Sequence, residues 1–568
     1  MFYLISLFWL TRETKAVLFW LYLWQLKEYH IGRFFAHFST TIGKQLLCNK
    51  LLIFKLLLAI ILLYGFYLFG FEILPPPIFS TNFFLFFFEF FVRIPFLVLI
   101  LYIFEAVHAS FNFFQKKLKK PVLTKKTVFL ISTALVLEVL FIVALSLYFR
   151  DEWGYINFIP ATFYLLLFDI LTPSIVSAIV LLFQPITVLL RNRIIEKAKR
   201  KREQLKNLLV IGITGSYGKT STKEFLATIL AEKFNVLKTK EHQNSEVGVS
   251  QCILNDLKPE HEIFICEMGA YNRGGIKLLC DITKPKIGVI TGINEQHLST
   301  FGSQENIISG KYELIESLPE DSLAIFNGDN EYCFELYKKT LIKKRVYSLQ
   351  SSISGLPSDI WAYNIRAEKD FITFKMTAGD EMVDFRVSLL GSHNISNILA
   401  AVCCARELGM TLEEISRACQ KIESWQSGIQ LKRGRHPPTV LHGINIFDAT
   451  YSANPDGVIS HLEYLKIWPG KKVIIMPCLI ELGSSSKEVH RRIGEKIGEV
   501  CNLAIITTKE RFEEIKEGAI GRGMNSENIL FIENPKKIFE KIKVFCKEGD
   551  VVLLESRLPN QLIQQLLR

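Results

Sequence analysis

The stretch Val210-Ile211-Gly212-Ile213-Thr214-Gly215-Ser216-Tyr217-Gly218-Lys219-Thr220-Ser221 decides how the second part of this 568-residue chain folds. Its apolar residues predict a strand, its glycines predict a tight turn, and Lys219 with Thr220 begins a predicted helix. In such a turn, backbone N–H groups and a helix N-terminus converge on phosphate oxygens, while the lysine adds charge and the hydroxyl binds Mg²⁺. The pattern therefore predicts a nucleotide-phosphate site. Its predicted members are Gly215, Ser216, Gly218, Lys219, Thr220 and Ser221.

Before this loop, the chain is rich in Phe, Leu and Ile. Apolar stretches long enough to cross a bilayer cover residues 51–73, 83–104, 127–148 and 161–190, the last predicted to be tilted or broken near Pro173 or Pro185. Residues 1–24 are also apolar, but charged residues at 12, 13 and 15 interrupt them, so that they span, re-enter or lie in the interface. We predict a membrane region over residues 1–198 with four to six transmembrane helices.

The loops indicate the orientation of this region. Basic residues cluster between the second and third of the four long stretches and again after the fourth, whereas the connections near 75–77 and 151–152 carry little positive charge. Because positive loops stay inside, we expect a multi-pass protein of the inner (cytoplasmic) membrane, with everything after residue 190 in the cytoplasm. The formal net charge of +11 is largely juxtamembrane, so that anionic membrane lipid, and not nucleic acid, is the expected partner.

Ionisable residues also fall within or near the predicted spans, namely Glu89, Arg93, Glu105, Glu138 and Asp169. Buried charge is costly in a membrane and usually has a purpose. Glu89 and Arg93 are four residues apart and could pair on one helix face. The simpler interpretation is that these residues lie at helix ends or satisfy each other, without a ligand.

The eleven cysteines show no C-x-x-C pair. In a reducing cytoplasm, all but Cys48 are expected to be small buried hydrophobic residues, and no zinc site is predicted.

After the phosphate loop, strand-like runs alternate with helical segments, which predicts parallel, doubly wound α/β sheets. The runs cover residues 263–266, 287–291, 323–326, 473–476, 503–507 and 551–554. A fresh strand run begins at Thr439, after the basic turn 432–435. We therefore predict a P-loop-containing central ATP-binding domain at 199–436 and a smaller, Rossmann-like C-terminal domain at 437–568.

Seven motifs in order, together with two more near the C-terminus, resemble the Mur ligases, the ATP-dependent amide-forming enzymes of cell-wall peptide assembly. They lie at residues 214–221, 242–249, 267–270, 291–298, 301–303, 311–313, 391–394, 448–455 and 480–483, with His490 after them. The resemblance covers roughly residues 208–568 and is greatest to the members that add D-alanyl-D-alanine. It implies ATP and two Mg²⁺ ions as cofactors and an acyl-phosphate mechanism.

The resemblance also implies roles for individual residues. Lys219, Lys311 and His297 are the expected catalytic residues, and Thr220, Glu267, His297 and Lys311 the expected metal ligands, with Lys311 carbamylated so that it becomes an anion. The remaining expected nucleotide contacts are His393 and Asn394 against adenine, Asp448 near the ribose or phosphates, and Arg433. Simpler explanations are a solvated strand-end carboxylate at Glu267, a surface lysine at Lys311 and a helix cap at Asn394.

Three departures from the family pattern stand out. The Pro-Gly-Arg before the last domain is replaced by Ser427-Gly428-Ile429, so that Lys432, Arg433 or Arg435 would have to substitute for its arginine. The Lys-Gly-Ser-Arg near the C-terminus is replaced by Glu555-Ser556-Arg557, which puts D-alanyl-D-alanine itself in question. Membrane helices stand where the family has a soluble UDP-binding domain.

These observations predict a membrane-embedded ATP-dependent amide (peptide) ligase of cell-wall or envelope assembly. It would join a carboxylate acceptor, lipid-linked or UDP-linked, to an amino acid or dipeptide. The alternatives are a ligase of the poly-γ-glutamate or folylpolyglutamate kind, a membrane transport or signalling ATPase, and a noncatalytic scaffold. The last two would leave the residues after the phosphate loop without a task.

Overall fold

The computed structural model describes residues 1–27, 29, 31–38, 41–47, 49–70, 81–115, 118–150, 157–241, 243–353, 355–427, 430–433, 443–450 and 454–567. The chain divides into two compact units, Met1–Leu190 and Arg191–Arg568. The division falls within a long helix, and each unit is described by itself.

Helices make up most of the described part of the first unit. Its helices are α1 (Phe2–Leu26), α2 (Ile31–His37), α3 (Thr41–Leu47), α4 (Lys50–Gly70), α5 (Thr81–Phe114), α6 (Lys125–Tyr148) and α7 (Phe158–Leu182), followed by α8 (Gln184–Gln204), which runs on into the second unit. Segments long and apolar enough to cross a membrane are Gly43–Tyr64, Arg93–Phe114, Lys125–Tyr148 and Ile159–Leu182. Each overlaps one of the four predicted stretches.

The fourth predicted stretch ends earlier than residue 190. Helix α7 continues through Pro173 and ends at Leu182, and α8 begins at Gln184. Proline is tolerated in the first turn of a helix because its missing N–H needs no partner there, and Pro185 occupies that turn in α8. The break predicted near Pro173 or Pro185 therefore lies at Pro185.

Helix α1 is continuous despite its charged residues. Trp9 is fully buried and donates its indole N–H to the Leu165 carbonyl of α7 at 2.9 Å, and Trp24 donates to Ser177 Oγ of α7 at 3.1 Å. These two bonds fix α1 along α7 because a buried indole N–H requires an acceptor. Residues 1–24 thus form part of a helix that is packed within the first unit.

The second unit alternates strands and helices. Its strands are β1 (Leu209–Thr214), β2 (Val236–Lys238), β3 (Ile263–Glu267), β4 (Ile287–Ile290), β5 (Leu323–Asn327), β6 (Lys343–Ser348), β7 (Ser352–Ile353), β8 (Leu356–Pro357), β9 (Ile360–Ala367), β10 (Ile372–Ala378), β11 (Glu381–Val387), β12 (Gln430–Arg433), β13 (Asn445–Ala449), β14 (Lys472–Met476), β15 (Leu503–Ile506), β16 (Ile529–Phe531) and β17 (Val551–Glu555).

Its helices pack on both faces of the sheets. They are α9 (Lys219–Leu230), α10 (Glu246–Asn255), α11 (Gly275–Thr283), α12 (Leu298–Phe301), α13 (Gln304–Glu316), α14 (Glu331–Lys339), α15 (Asn394–Glu407), α16 (Leu412–Cys419), α17 (Pro455–Leu465), α18 (Ser486–Val500), α19 (Phe512–Gly521), α20 (Pro535–Phe545) and α21 (Asn560–Leu567).

A nine-stranded sheet forms the centre of this unit, in the order β11-β10-β9-β6-β5-β4-β1-β3-β2. From β2 to β9 neighbouring strands are parallel, as predicted, and the carboxyl ends of β1, β3 and β4 meet at one edge. The antiparallel extension β9–β10–β11 was not predicted. Its signal was present, because buried and half-buried residues alternate along β10 and Gly379 forms the turn to β11 with φ +60°.

A second sheet has the order β12-β13-β17-β14-β15-β16 and is parallel except at β12. Strand β13 begins at Asn445, whereas a strand run was predicted from residue 439; residues 434–442 lie outside the described part. Buried apolar side chains cover both faces of this sheet, as expected for a parallel sheet between helical layers.

The ten cysteines in the described part are free and buried, in line with the small-hydrophobe interpretation; Cys48 lies outside it.

Candidate active site

The phosphate loop has the strand–turn–helix form that its sequence predicts. Strand β1 ends at Thr214, and α9 begins at Lys219. Gly218 has φ +77°, and a Cβ there would lie 2.4 Å from Asn397 Oδ1. Gly215 has φ +153°, and a Cβ there would lie 2.2 Å from the Thr291 hydroxyl oxygen. Both positions therefore require glycine, for backbone conformation and for space.

Residues that follow β4 hold the loop in place. Ser216 N–H donates to the Gly292 carbonyl at 2.7 Å, and Ser216 Oγ accepts from Asn294 N–H at 3.2 Å. The Thr291 hydroxyl donates to the Tyr217 carbonyl. These bonds fix the loop from two sides, in the strand–turn–helix form that binds phosphate in other proteins.

Lys219 lies at the centre of this loop. Its ammonium donates to the Gly215 carbonyl at 2.6 Å. Burial lowers the pKa of Lys219, and the nearby Glu267 carboxylate partly opposes that shift. The lysine predicted to bind phosphate and the carboxylate predicted to bind metal are thus close enough to interact.

Glu267 ends β3 at the sheet edge and is almost fully buried. One carboxylate oxygen accepts from Asn244 Nδ2 at 3.2 Å, and the other pairs with Lys223 Nζ at 3.3 Å. The simple explanation of a solvated carboxylate is therefore wrong. Lys223 is itself fully buried on α9, and the sequence argument missed it although it lies one helical turn after Lys219.

His297 caps the short helix α12 in a left-handed conformation, with φ +68°. Its Nδ1 lies 2.7 Å from Oε2 of Glu481, which reaches it from the loop after β14. The same loop accepts a backbone bond from Ser299 N–H at 3.1 Å. Burial lowers the pKa of His297, while Glu481 opposes that shift; an imidazole held at Nδ1 presents Nε2 to a ligand.

Lys311 is buried on α13 and is not a surface lysine. Its side chain is 2% exposed, and its Nζ lies 5.9 Å from the centre of the Phe301 ring. Burial, together with the positive charge of Lys219, lowers the pKa of Lys311 to about 7. The charges of Lys311 and Lys219 also act on His297. Lys219, Glu267, His297 and Lys311 therefore form one electrostatically linked group.

His393 and Asn394 begin α15, as predicted. Asn394 is buried and donates from Nδ2 to the Leu390 carbonyl at 2.9 Å; the N-cap position belongs to His393, so the helix-cap explanation of Asn394 is wrong. The His393 ring lies 5.4 Å from that of His461 on α17. Burial and His461 lower the pKa of His393 to about 3, so that this imidazole is neutral and able to accept or donate one hydrogen bond.

The other predicted nucleotide contacts are less defined. Asp448 lies on β13 and accepts from the Thr450 hydroxyl at 2.7 Å, as in a strand-end turn. Arg433 ends β12, and its side chain lies outside the described part. Glu555, the acidic replacement near the C-terminus, is buried and bonds to His461 Nδ1 at 2.7 Å. Its charge therefore faces the protein interior and not a cleft.

Polar contacts also join the two halves of the second unit beside the phosphate loop. Asn294 Nδ2 donates to Asp456 Oδ2 at 2.7 Å, and Arg492 lies 3.6 Å from Glu295. Together with the bond between His297 and Glu481, these contacts place α17 and α18 over the loops that follow β4. The sequence motifs predicted His297 and the Ile480-Glu481-Leu482-Gly483 segment separately, but not that they meet.

Family models and individual relatives all assign this chain to the same family. A family model for the Mur ligase middle domain matches residues 213–405, and one for the Mur ligase glutamate ligase domain matches residues 434–558. The chain is 30% identical over 353 residues to the UDP-N-acetylmuramoyl-tripeptide--D-alanyl-D-alanine ligase of Synechocystis, an alignment that covers 61% of this chain and 71% of that enzyme. With its Escherichia coli counterpart it shares 29% over 286 residues, which cover 50% of this chain and 61% of that enzyme.

Solved structures agree with the sequence relatives. The MurF ligase from Thermotoga maritima in complex with ADP superposes with a TM-score of 0.56 at 26% identity, over 66% of this chain and 83% of that one. MurF from Acinetobacter baumannii gives a TM-score of 0.59 at 24% identity, over 66% of this chain and 80% of that one.

Proposed function

Because this chain belongs to the Mur ligase family of ATP-dependent, amide-bond-forming enzymes, we propose that it joins a carboxylate acceptor to an amino acid or dipeptide in peptidoglycan assembly. Mur ligases use ATP and Mg²⁺. The curated relatives act on a UDP-N-acetylmuramoyl-tripeptide and D-alanyl-D-alanine by name, which makes these the first substrates to test.

The observation that carries this proposal is the electrostatically linked group of Lys219, Glu267, His297 and Lys311 at the phosphate loop, in which Glu267 and Lys311 are buried. A carboxylate does not react with an amine directly, so one of its oxygens must first be made a leaving group. Attack of that oxygen on the γ-phosphorus of ATP forms an acyl phosphate and releases ADP. The amine nitrogen then attacks the acyl carbon, phosphate leaves with the carboxyl oxygen, and the amine loses a proton. Such a reaction depends on positioning and charge neutralisation, which this group can supply.

No group of three or more His, Cys, Asp or Glu in the described part of the chain is arranged to hold a metal, so that the protein alone would supply only some of the ligands of a Mg²⁺ ion. Glu267 and His297 would be protein ligands, and Thr220 at the second position of α9 would add a hydroxyl. When bound, Mg²⁺ would neutralise phosphate charge. The remaining oxygens would come from substrate phosphates and from a carbamate on Lys311.

Carbamylation of Lys311 is a proposal supported by its burial. An amine with a pKa of about 7 has a substantial uncharged fraction near neutral pH, and only the uncharged amine adds to CO₂. The product is an anion. It would place a metal ligand near Lys219 and His297, where the unmodified side chain offers only an amine. A buried ammonium has no comparable use at this place.

The other proposed nucleotide contacts come from the start of α15 and from β12 and β13. His393 and Asn394 would lie against adenine, Asp448 near the ribose or phosphates, and Arg433 would replace the arginine that the Ser427-Gly428-Ile429 segment lacks. Glu555 replaces the lysine of the family motif that helps to form the site of the incoming dipeptide. It is buried and bonded to His461, so that this position offers no cation. We therefore propose that no cation at this position binds the carboxylate of the amine donor, in contrast to the expected binding of D-alanyl-D-alanine.

A panel assay tests ligation. Purified full-length protein in detergent is supplied with ATP and Mg²⁺ and with acceptors and amines in pairs, and ADP release is measured. We expect release that requires both an acceptor and an amine, and at least a hundredfold loss in Lys219→Ala, the matched control. Release that needs neither would favour a transport or signalling ATPase and would contradict the proposal.

The membrane assignment, with domains at 1–198, 199–436 and 437–568, is part of the same proposal. Apolar helices of spanning length precede the ligase domains, and α8 carries exposed basic residues such as Arg193 and Arg200 that suit anionic lipid. Because these helices precede the ligase domains, we propose an acceptor presented at the inner leaflet. Alkaline carbonate should leave the full chain in the membrane pellet, and a lipid-linked acceptor should give more ADP than its soluble UDP-linked form. Release of the chain by carbonate would contradict the membrane assignment. Equal rates of ADP release with both acceptors would contradict an acceptor presented at the inner leaflet.

A further inference from the structure

The helical first unit contains charged side chains in its interior. Asp169 on α7 receives Arg12 Nη1 at 2.6 Å and Lys55 Nζ at 2.6 Å, and Glu105 on α5 lies 2.6 Å from the same lysine. Arg12 also pairs with its neighbour Glu13 at 2.5 Å. These five residues, from α1, α4, α5 and α7, are called the buried ion-pair cluster.

Each acid of this cluster has a partner. Thr172 donates its hydroxyl to the second Glu13 oxygen at 2.7 Å, and the Tyr102 hydroxyl donates to Asp169 at 3.2 Å. Lys15, half-buried one turn after Arg12 on α1, is close enough for the Glu105 charge to act on it. Counting Lys15, three cations balance three carboxylates. The positive and negative charges of the cluster, with Lys15, are therefore balanced, and no further ion is needed to neutralise them.

Glu138 is different. It lies in the middle of α6, its side chain is 1% exposed, and both of its carboxylate oxygens are buried without a hydrogen-bond partner among the described residues. Helix α6 packs against α1 and α7. From α1, Glu13 and Arg12 act on the Glu138 carboxyl, but Arg12 is already bonded to Glu13 and Asp169. The one charged residue of α7 is Asp169, which the cluster already satisfies.

No other cation of α6 can reach Glu138. Lys125 and Lys126 begin the helix, twelve or more residues earlier, which is about 18 Å along the axis. Mg²⁺ and Ca²⁺ are also a poor match, because they take six or more oxygen ligands, and the described residues contain no group of three or more acids, His or Cys arranged to hold a metal. A proton needs no such shell, and it removes the charge that would otherwise be buried without a partner.

We propose that the helical unit has a proton-binding site at Glu138, beside the buried ion-pair cluster. A proton from water adds to one Glu138 oxygen to give a neutral carboxyl, and its release restores the carboxylate next to Glu13. The site does not depend on the proposed ligase function. It gives the helices that precede the ligase domains one group that can change charge without breaking an ion pair, because Glu138 itself has none among the described residues.

Infrared spectroscopy of the full-length protein in lipid nanodiscs tests this site. A protonated carboxyl absorbs at a frequency separate from that of a carboxylate and from the amide bands. We expect such a band at neutral pH in the wild type and in the exposed control Glu368→Gln, and its loss in Glu138→Gln. A wild type without the band, or a Glu138→Gln protein that keeps it, would overturn the proposal.

Two further measurements keep the test decisive even if Glu138→Gln does not fold. Wild-type protein carrying ¹³C in its glutamate side-chain carboxyls should show the band at lower frequency; an unshifted band would place the proton on an aspartate and overturn the assignment. Replacing K⁺ with Na⁺ at constant pH should leave the band unchanged. If Na⁺ abolishes it, the ligand is sodium and the proposal is wrong.

Discussion

At the scale of single residues, burial distinguishes functional candidates from surface charge. Glu267, Lys223 and Lys311 are each at most 5% exposed, although all three carry ionisable side chains. A buried charge is costly unless it is paired or has a ligand. These residues lie where the phosphate loop, the end of β3 and α13 meet, which is why burial supports the proposed roles better than spacing alone.

The pH dependence of ligation should report Lys311. Its pKa is lowered from 10.5 to about 7, so that the amine becomes protonated, and unable to add CO₂, as the pH falls through about 7. We therefore expect bicarbonate to stimulate ADP release at pH 8 and to have little effect at pH 6. Lys311→Met should lose most activity at pH 8 and differ little from the wild type at pH 6, while Lys338→Met, at an exposed lysine of α14, should behave as wild type at both pH values.

The modification itself can be observed. With ¹³C-bicarbonate, NMR should show a carbamate carbon in the wild type that is absent from Lys311→Met. A bicarbonate-independent enzyme without that signal would show that Lys311 acts as an amine.

Glu481 should act through His297. Because a carboxylate on Nδ1 orients the imidazole for a metal at Nε2, loss of such a partner typically weakens metal binding about 10–100-fold. We expect Glu481→Gln to raise the Mg²⁺ concentration for half-maximal ADP release by about that factor. The control is Glu488→Gln, a substitution at the exposed face of α18. An unchanged Mg²⁺ requirement in Glu481→Gln would mean that the contact only joins two loops.

At the scale of elements, the strands and helices that carry motifs could be predicted, and the contacts between them could not. Apolar runs and the glycines of the loop predicted β1, α9, β3 and β4, because local periodicity and backbone conformation decide them. The bond between His297 and Glu481 joins residues 184 positions apart, and no local pattern contains it. The same holds for Lys223, whose role depends on the strand that lies beside its helix.

The junction between α8 and β1 offers a test at this scale. Arg202 at the end of α8 is buried and donates to the carbonyls of Thr283, Leu205 and Leu208 at 2.9–3.1 Å. Arg202→Met would remove all three bonds, and only the Leu205 carbonyl would keep the donor shown for it elsewhere, the Leu208 N–H, so that we expect the second unit to be destabilised by about 2–3 kcal/mol. Thermal unfolding of the full chain should show a lower midpoint, whereas Arg200→Met, at an exposed position, should not. Equal midpoints would mean that water or backbone groups replace the guanidinium.

At the scale of the whole molecule, the division into helical and α/β parts follows from composition alone. Four apolar stretches predicted four helices, and the break at Pro185 follows from the chemistry of proline. The interior charges of the first unit were only partly foreseen: Glu105 and Asp169 were expected to be paired or at helix ends, but Arg12 and Lys55 were not recognised as their partners. Long-range pairing among helices, like that among loops, is set by packing and not by local sequence.

The central claim is that a carboxylate is activated by phosphoryl transfer, and an oxygen-tracing experiment tests it most directly. The acceptor that supports turnover is prepared with ¹⁸O in its carboxylate, and the phosphate released during ligation is analysed by mass spectrometry. An acyl phosphate transfers one carboxyl oxygen to phosphate when the amine displaces it, so the account predicts one ¹⁸O in each phosphate formed. Phosphate without ¹⁸O would mean that water or another group accepts the phosphoryl group, and would contradict the account.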